Sequence, residues 1–141
     1  MLNTASPQTS ADSDAEQALW FDFSYESNED SEVIKLTSDT EMLIITRRNG
    51  IVSTENIAFD HGKIIFDAFM KLRDEVLYHN IVFELLPELF PISELQQIHE
   101  SITGSKDCAA NFRRKMKDKI EETELFEEVA AHRPSKLYKK K

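Results

Sequence analysis

Two periodicities divide the chain. Up to about residue 59, short runs of β-branched and aromatic residues alternate with turn-forming residues, a pattern typical of β-strands. These runs lie at 19–23, 33–36 and 42–46. Ser38-Asp39 separates the last two runs, which we predict to form a hairpin, and Asn49-Gly50 favours a further pairing with residues 51–52. Because only a few strands are predicted, we expect an incomplete sheet.

From Asp60 onward, the apolar residues follow a helical spacing. The first helix is predicted over about 60–75, with Asp60 as its N-cap. Its apolar face is made of Ile65, Ala68, Phe69, Leu72 and Val76. A short helix or turn through residues 82–86 stops near Pro87, because the proline ring disfavours helix at the preceding residue.

Two more helices are predicted, joined by a tight turn. The first begins around Ser93 and ends at Gly104, since glycine suits the position after a helix. The second covers about 107–120, with Asp107 as its cap. Its apolar stripe is Cys108, Ala109, Phe112, Met116 and Ile120. The composition of 121–127 and 135–140 then predicts two strands around the loop 128–134.

Charge is distributed unevenly along the chain. The net charge is −9, yet residues 1–104 hold 6 Lys or Arg against 19 Asp or Glu, and residues 105–141 hold 11 against 7. Duplex affinity comes largely from neutralising phosphates, so an even −9 would argue against a nucleic-acid partner. The actual asymmetry favours a polyanion-facing C-terminal part, with a solvated basic tail as the alternative interpretation.

The helix over 107–120 has the two properties that major-groove recognition requires. Its apolar stripe can dock on the domain, and its other faces carry donors for phosphates and base edges, Lys115 included. Arginine and asparagine can recognise bases bidentately, whereas lysine suits phosphates. A basic hairpin after such a helix can act as a wing. The predicted DNA contacts are Lys106, Asn111, Arg113, Arg114, Lys117, Arg133 and Lys136.

Other chemistry finds little support in the sequence. Cys108 is the single cysteine, which excludes an internal disulfide, and we expect it to be a small core residue. No metal site and no cofactor are predicted, because the histidines show no pair at metal-ligand spacing. Neither a secretory signal nor a membrane-length apolar run is present, so we expect a cytoplasmic protein. The histidines are His61, His79, His99 and His132.

Four segments resemble the C-terminal part of Nudix-related transcriptional regulators of the NrtR type. They are AFDHGKII at 58–65, FELLPELFPISELQQIHESITG at 83–104, NFRRKM at 111–116 and HRPSKLY at 132–138. The resemblance covers roughly residues 58–141 in the same order. It implies that NFRRKM opens the recognition helix and that RPSKLY is the second wing strand. It also implies a homodimer that binds a palindromic site on double-stranded DNA.

A fifth segment, SDAEQALWFDF at 13–23, is similar to the part of a Nudix domain that follows its catalytic helix. A Nudix hydrolase needs a helix that presents several carboxylates to Mg²⁺, in a box of the form Gly, five residues, Glu, seven residues, Arg-Glu-x-x-Glu-Glu. None of Gly50, Gly62 and Gly104 is followed by Arg-Glu-x-x-Glu-Glu. We therefore expect no enzyme activity and a fragment that lacks the Nudix catalytic half. An ADP-ribose or sugar-phosphate effector is expected only if a complete Nudix-like domain exists.

These inferences predict an α+β protein in which a partial Nudix-like β region precedes a winged helix-turn-helix. The segments are a flexible start at 1–18, the remnant of a Nudix-like domain at 19–59 and a DNA-binding winged helix at 60–141. The predicted function is operator recognition by a transcriptional regulator. Two alternatives stay open: an interaction or dimerisation module that has lost its DNA contact, and a residual Nudix hydrolase.

Overall fold

The structure, a computed structural model, describes residues 18–58, 60–127 and 134–141. The predicted flexible start therefore lies outside the described residues, apart from its last position. The chain forms two compact units that divide between Phe66 and Asp67. Within the described residues, none of the helices has both the length and the apolar character needed to cross a membrane.

The first unit contains an antiparallel sheet of four strands in the order β1-β2-β3-β4. The strands are β1 (Asp22–Ser27), β2 (Ser31–Thr37), β3 (Met42–Arg48) and β4 (Ile51–Glu55). The predicted hairpin and the further pairing are both present. The first strand starts at Asp22 rather than at Leu19. Asp22 pairs with Thr37, which is the last residue of β2, so β2 offers no pairing partner to the residues before Asp22.

The turn between β3 and β4 follows directly from its two residues. Asn49 has φ 51° and Gly50 has φ 78°, so both occupy the left-handed region that a two-residue hairpin turn requires. Arg48 and Ile51 are consequently paired across the turn. The prediction made from Asn49-Gly50 is confirmed.

The buried face of this sheet combines an apolar layer with one polar cluster. Ile34 and Ile45 are directly paired and fully buried. Glu32 accepts hydrogen bonds from the Tyr25 hydroxyl (3.0 Å) and from Nε of Arg47 (2.6 Å). The Arg47 guanidinium lies 4.7 Å from the centroid of the Phe66 ring. The partly buried charges of Glu32 and Arg47 are therefore paired within the unit, which offsets the cost of their desolvation.

Helix α1 (His61–Tyr78) confirms the predicted helix and extends it by three residues at its C-terminal end. Asp60 precedes it, and the Asp60 carbonyl accepts the N–H of Ile64 at 3.1 Å. Gly62 is required by close approach, because a Cβ there would collide with the Thr54 side chain of β4. Of the predicted apolar face, Phe69 and Val76 are buried and Ala68 is exposed, whereas Phe66, which the prediction left out, is fully buried.

The second unit has the topology of a winged helix. After α1 come a 3-10 helix (Ile81–Leu85), β5 (Phe90–Pro91), α2 (Ile92–Thr103), α3 (Ala109–Met116), β6 (Ile120–Glu127) and β7 (Ser135–Lys140). The strands form an antiparallel sheet in the order β5-β7-β6. The predicted α+β class and winged helix are confirmed.

The core of this unit joins the helices to the sheet. The rings of Phe83 and Phe90 lie 6.0 Å apart between centroids. Gly104 ends α2 in the left-handed conformation, with φ 71°, as predicted. The buried apolar side chains from the 3-10 helix onward are Val82, Phe83, Phe90, Leu95, Ile102, Phe112, Met116, Ile120 and Tyr138.

Three expectations about the third helix are wrong. The helix covers Ala109–Met116 instead of 107–120, because a turn at 117–119 leads Ile120 into β6. Its N-cap is Cys108, and the Asp107 carboxylate instead accepts Nζ of Lys115 at 2.6 Å. Cys108 is exposed, not buried, since its extended backbone (ψ 151°) takes it off the helical stripe.

Candidate nucleic-acid interface

Helix α3 is attached to the second unit by one narrow face. Phe112 and Met116 are buried and lie one turn apart, so they form a single apolar line along the helix. The His99 ring of α2 meets the Phe112 ring edge-on, with 5.4 Å between centroids. The remaining surface of α3 is thereby left for contacts outside the domain.

The exposed surface of α3 carries the predicted DNA contacts. Asn111, Arg113, Arg114 and Lys117 are all exposed, and Lys106 is exposed in the connection from α2. An Arg114 guanidinium nitrogen lies 3.3 Å from Oδ1 of Asn111. Within the described part of the chain, the basic residues of this set have no ion pair. Their charges remain available to a polyanion.

Lys115 is the exception on α3. Its Nζ lies 2.6 Å from the Asp107 carboxylate, which is largely shielded from solvent with 19% of its side chain exposed. A lysine held by a shielded carboxylate is less available to phosphates than an unpaired one. The structure therefore separates Lys115 from the other donors that the sequence groups with it.

The lysines of the wing, defined as β6 and β7, are paired with glutamates of the wing and of the 3-10 helix. Lys136 forms an ion pair with Glu122, and Lys139 Nζ lies 3.4 Å from Glu121. The hydrogen bond to Glu122 raises the pKa of Lys136. Lys140 Nζ lies 3.1 Å from Glu84 in the 3-10 helix. Antiparallel pairing explains part of this pattern, because it sets Glu121 directly opposite Lys139.

Residues 128–133, between β6 and β7 in the sequence, lie outside the described residues. Arg133 and His132 belong to that stretch, so the structure does not place them. Of the seven predicted contacts, five lie on or beside α3, and Lys136 lies on β7 in an ion pair.

A polar cluster at the helix-turn-helix connection was not predicted. Gln96 Nε2 donates to the Asp107 carbonyl (2.8 Å) and to Oε1 of Glu100 (2.9 Å). The same Glu100 oxygen accepts the backbone N–H of Asp107 at 2.9 Å. The hydrogen bond from Gln96, followed by that from Asp107, lowers the pKa of Glu100. No sequence motif marks the two contacts with Asp107, because they join residues seven and eleven positions apart.

His99 is the buried titratable group behind α3. It is 9% exposed, and within the described residues its Nδ1 has no hydrogen-bond partner. Burial lowers the pKa of His99, and the charges of Lys115 and Lys119 act in the same direction against Asp107 and Glu100. The neutral imidazole therefore fits this environment better than the imidazolium. Nowhere in the described residues do three or more His, Cys, Asp or Glu side chains lie together in a group that could hold a metal ion.

Comparison with known proteins agrees with this architecture. Residues 82–139 match the family described as the NrtR DNA-binding winged helix domain. The winged helix formed by residues 82–139 is therefore similar to the DNA-binding domain of NrtR. The matched range starts in the 3-10 helix and ends in β7, so it includes α2, α3 and both wing strands. The resemblance noted from NFRRKM and HRPSKLY is confirmed.

Two relatives extend the NrtR comparison beyond the winged helix. An Acinetobacter baylyi protein named "ADPR responsive transcriptional repressor NtrR" is 36% identical over 86 residues, covering 60% of this chain and 34% of its own length. A crystal structure of Shewanella oneidensis NrtR complexed with a 27mer DNA shows 30% identity and a TM-score of 0.50. That match covers 64% of this chain and 45% of the Shewanella chain. The chain thus spans about a third to a half of these relatives.

Proposed function

We propose that this chain binds double-stranded DNA through α3 and serves in transcriptional regulation. The observation that carries the proposal is the set of exposed, unpaired cations on and beside α3, inside a domain of the NrtR type. A helix docked by one face and basic on the others has the shape and charge to enter a major groove.

The exposed side chains divide into two chemical roles. Asn111, Arg113 and Arg114 carry planar groups that can make bidentate hydrogen bonds to base edges. Lys106 and Lys117 carry point charges that suit phosphates. We expect base recognition from the first group and sequence-independent affinity from the second.

The relatives support regulation by DNA binding. The Acinetobacter protein is named a transcriptional repressor, and the Shewanella protein is crystallised with DNA. We extend to this chain a homodimer that matches a palindromic operator, because two-fold proteins and two-fold sites share one symmetry. We also propose a cytoplasmic location, no hydrolase activity, and an ADP-ribose or sugar-phosphate effector only where a complete Nudix-like domain is present. Residues 19–59 would be the remnant of that domain.

The proposal is tested by a salt titration of DNA binding. Fluorescence anisotropy would follow the full chain on a labelled random-sequence duplex and on a duplex enriched by the chain from a random library. We expect log K to fall by about 0.9 per phosphate contact for each unit of log salt concentration. No binding to either duplex at low salt would contradict the proposal and favour a protein-interaction module.

A further inference from the structure

We propose that Gln96 and Glu100 are positioning residues that hold α3 at the angle base recognition needs, by clamping the backbone of Asp107. The proposal rests on DNA binding by α3. Neither residue lies on α3, so neither belongs to the contact surface described above. Their part is to fix the helix that carries it.

The clamp holds both polar groups of one backbone position. Glu100 accepts the N–H of Asp107 at 2.9 Å, and Gln96 donates to the Asp107 carbonyl at 2.8 Å. Gln96 also donates to Glu100 at 2.9 Å, which holds the two α2 side chains together. Asp107 lies two residues before the first residue of α3. The entry to the helix is therefore tied to α2 by two hydrogen bonds.

The Asp107 side chain carries this fixation along α3. Its carboxylate holds Nζ of Lys115 at 2.6 Å, and Lys115 is the penultimate residue of the helix. The Asp107 backbone thus makes two hydrogen bonds to α2, and the Asp107 side chain makes one ion pair to the last turn of α3. Asp107 links α2 to both ends of α3.

The apolar contacts of α3 do not provide the same restraint. The helix has eight residues, and Phe112 and Met116 are its two buried side chains. They lie on one line along the helix, which leaves rotation about that line weakly restrained. Lys115 lies to one side of the line, so its bond to Asp107 opposes such rotation. The clamp supplies the restraint that a two-turn helix lacks.

Loss of the clamp should affect two kinds of DNA contact differently. Bidentate hydrogen bonds to bases require a defined helix angle, whereas phosphate contacts tolerate small rotations of a long lysine. We therefore expect a misaligned helix to lose its preference for a selected duplex while its salt dependence stays the same. A general loss of folding would instead reduce both the preference for the selected duplex and the salt dependence.

The experiment compares Glu100→Ala and Gln96→Ala with Gln97→Ala in the full chain. Gln97 is an exposed glutamine of the same helix, so its replacement matches the change in helix propensity without touching Asp107. For Glu100→Ala we expect the affinity ratio between selected and random duplex to fall about tenfold, as two lost hydrogen bonds permit. Glu100→Gln keeps an oxygen acceptor and should recover most of the ratio.

A second measurement needs no DNA. Amide hydrogen exchange by NMR should be faster at Asp107 and through α3 in Glu100→Ala, and unchanged in Gln97→Ala. Unchanged exchange at Asp107 would overturn the clamp. An unchanged duplex ratio in a variant with faster exchange would overturn its positioning role. If the native chain binds no duplex, the proposed function fails, and the exchange result still decides whether the clamp exists.

Discussion

Helix α3 and the wing contain similar numbers of basic residues but present them in opposite ways. On and beside α3, four cations are exposed and have no carboxylate partner within the described residues: Lys106, Arg113, Arg114 and Lys117. On the wing, each of the three lysines of β7 is paired with a glutamate of the protein itself. Charge on the wing is present in the sequence but is already balanced in the fold.

The difference shows that a basic segment is not equivalent to a basic surface. Strand β6 contains four glutamates, and antiparallel pairing places it beside the lysines of β7. Phosphates approaching the wing must compete with those carboxylates, whereas phosphates approaching α3 meet unpaired charge. We therefore expect α3 to dominate DNA affinity.

The sharpest test of this comparison removes the arginines of α3. Arg113→Ala with Arg114→Ala should cost about 1–3 kcal/mol per base-contacting residue, or roughly tenfold in affinity for each 1.4 kcal/mol. Anisotropy on the selected duplex would measure the loss. The control is Lys136→Ala with Lys139→Ala on the wing, and an equal or larger loss there would reverse the comparison.

The next largest effect concerns the stability of the second unit, through the buried His99 that packs behind α3. His99 has a lowered pKa in the folded chain, so the unfolded chain binds the extra proton first as pH falls below about 6.5. As far as His99 determines it, the free energy of unfolding therefore has its full value above that pH and decreases below it. Each unit by which the pKa is lowered corresponds to about 1.4 kcal/mol.

Urea unfolding at pH 7.5 and pH 5.5 would measure the contribution of His99. We expect His99→Phe to remove part of the difference in stability between the two pH values. If His99→Phe keeps the whole difference, protonation of His99 is not its cause.

A smaller effect should come from freeing the wing lysines. Glu121→Gln with Glu122→Gln removes the carboxylates beside Lys139 and Lys136. We expect tighter binding and a steeper salt dependence, by about 0.9 in the log–log slope for each lysine that gains a phosphate. A salt titration on random duplex decides this, and an unchanged slope would mean that the ion pairs do not restrain the wing.

The smallest effect is expected from single lysines compared across the two regions. Lys117→Ala should weaken binding to every duplex and should reduce the loss of affinity between 50 and 200 mM salt by about threefold, the contribution of one phosphate contact. Lys136→Ala should change binding less, because Glu122 already neutralises that charge. Equal effects of the two substitutions would show that pairing on the wing is lost on contact with DNA.

The sequence predicts those elements whose signals are local. The turn at Asn49-Gly50, the helix end at Gly104 and the two wing strands all depend on neighbouring residues, and each is found in the structure. Strand β5 was not predicted, because two residues give no periodicity. Its existence depends on pairing with Leu137 and Tyr138, almost fifty positions further along.

In the candidate site, too, the sequence predicts the features that depend on neighbouring residues and not those that depend on distant ones. Exposure of Arg113 and Arg114 follows from the helical stripe set by Phe112 and Met116, so the sequence predicts it. The ion pair between Lys136 and Glu122 depends on strand register and on the irregular pairing between Glu122 and Phe126. Composition identifies the charges of the wing but does not show that they are paired.

The order of the three strands in the second sheet has a consequence for biosynthesis. The strand made last, β7, lies in the middle and pairs with both β5 and β6. Until Ser135–Lys140 has left the ribosome, the two outer strands have no hydrogen-bonding partner. The winged helix therefore closes only after its final strand emerges, and a nascent chain that stalls earlier exposes two open edges to aggregation.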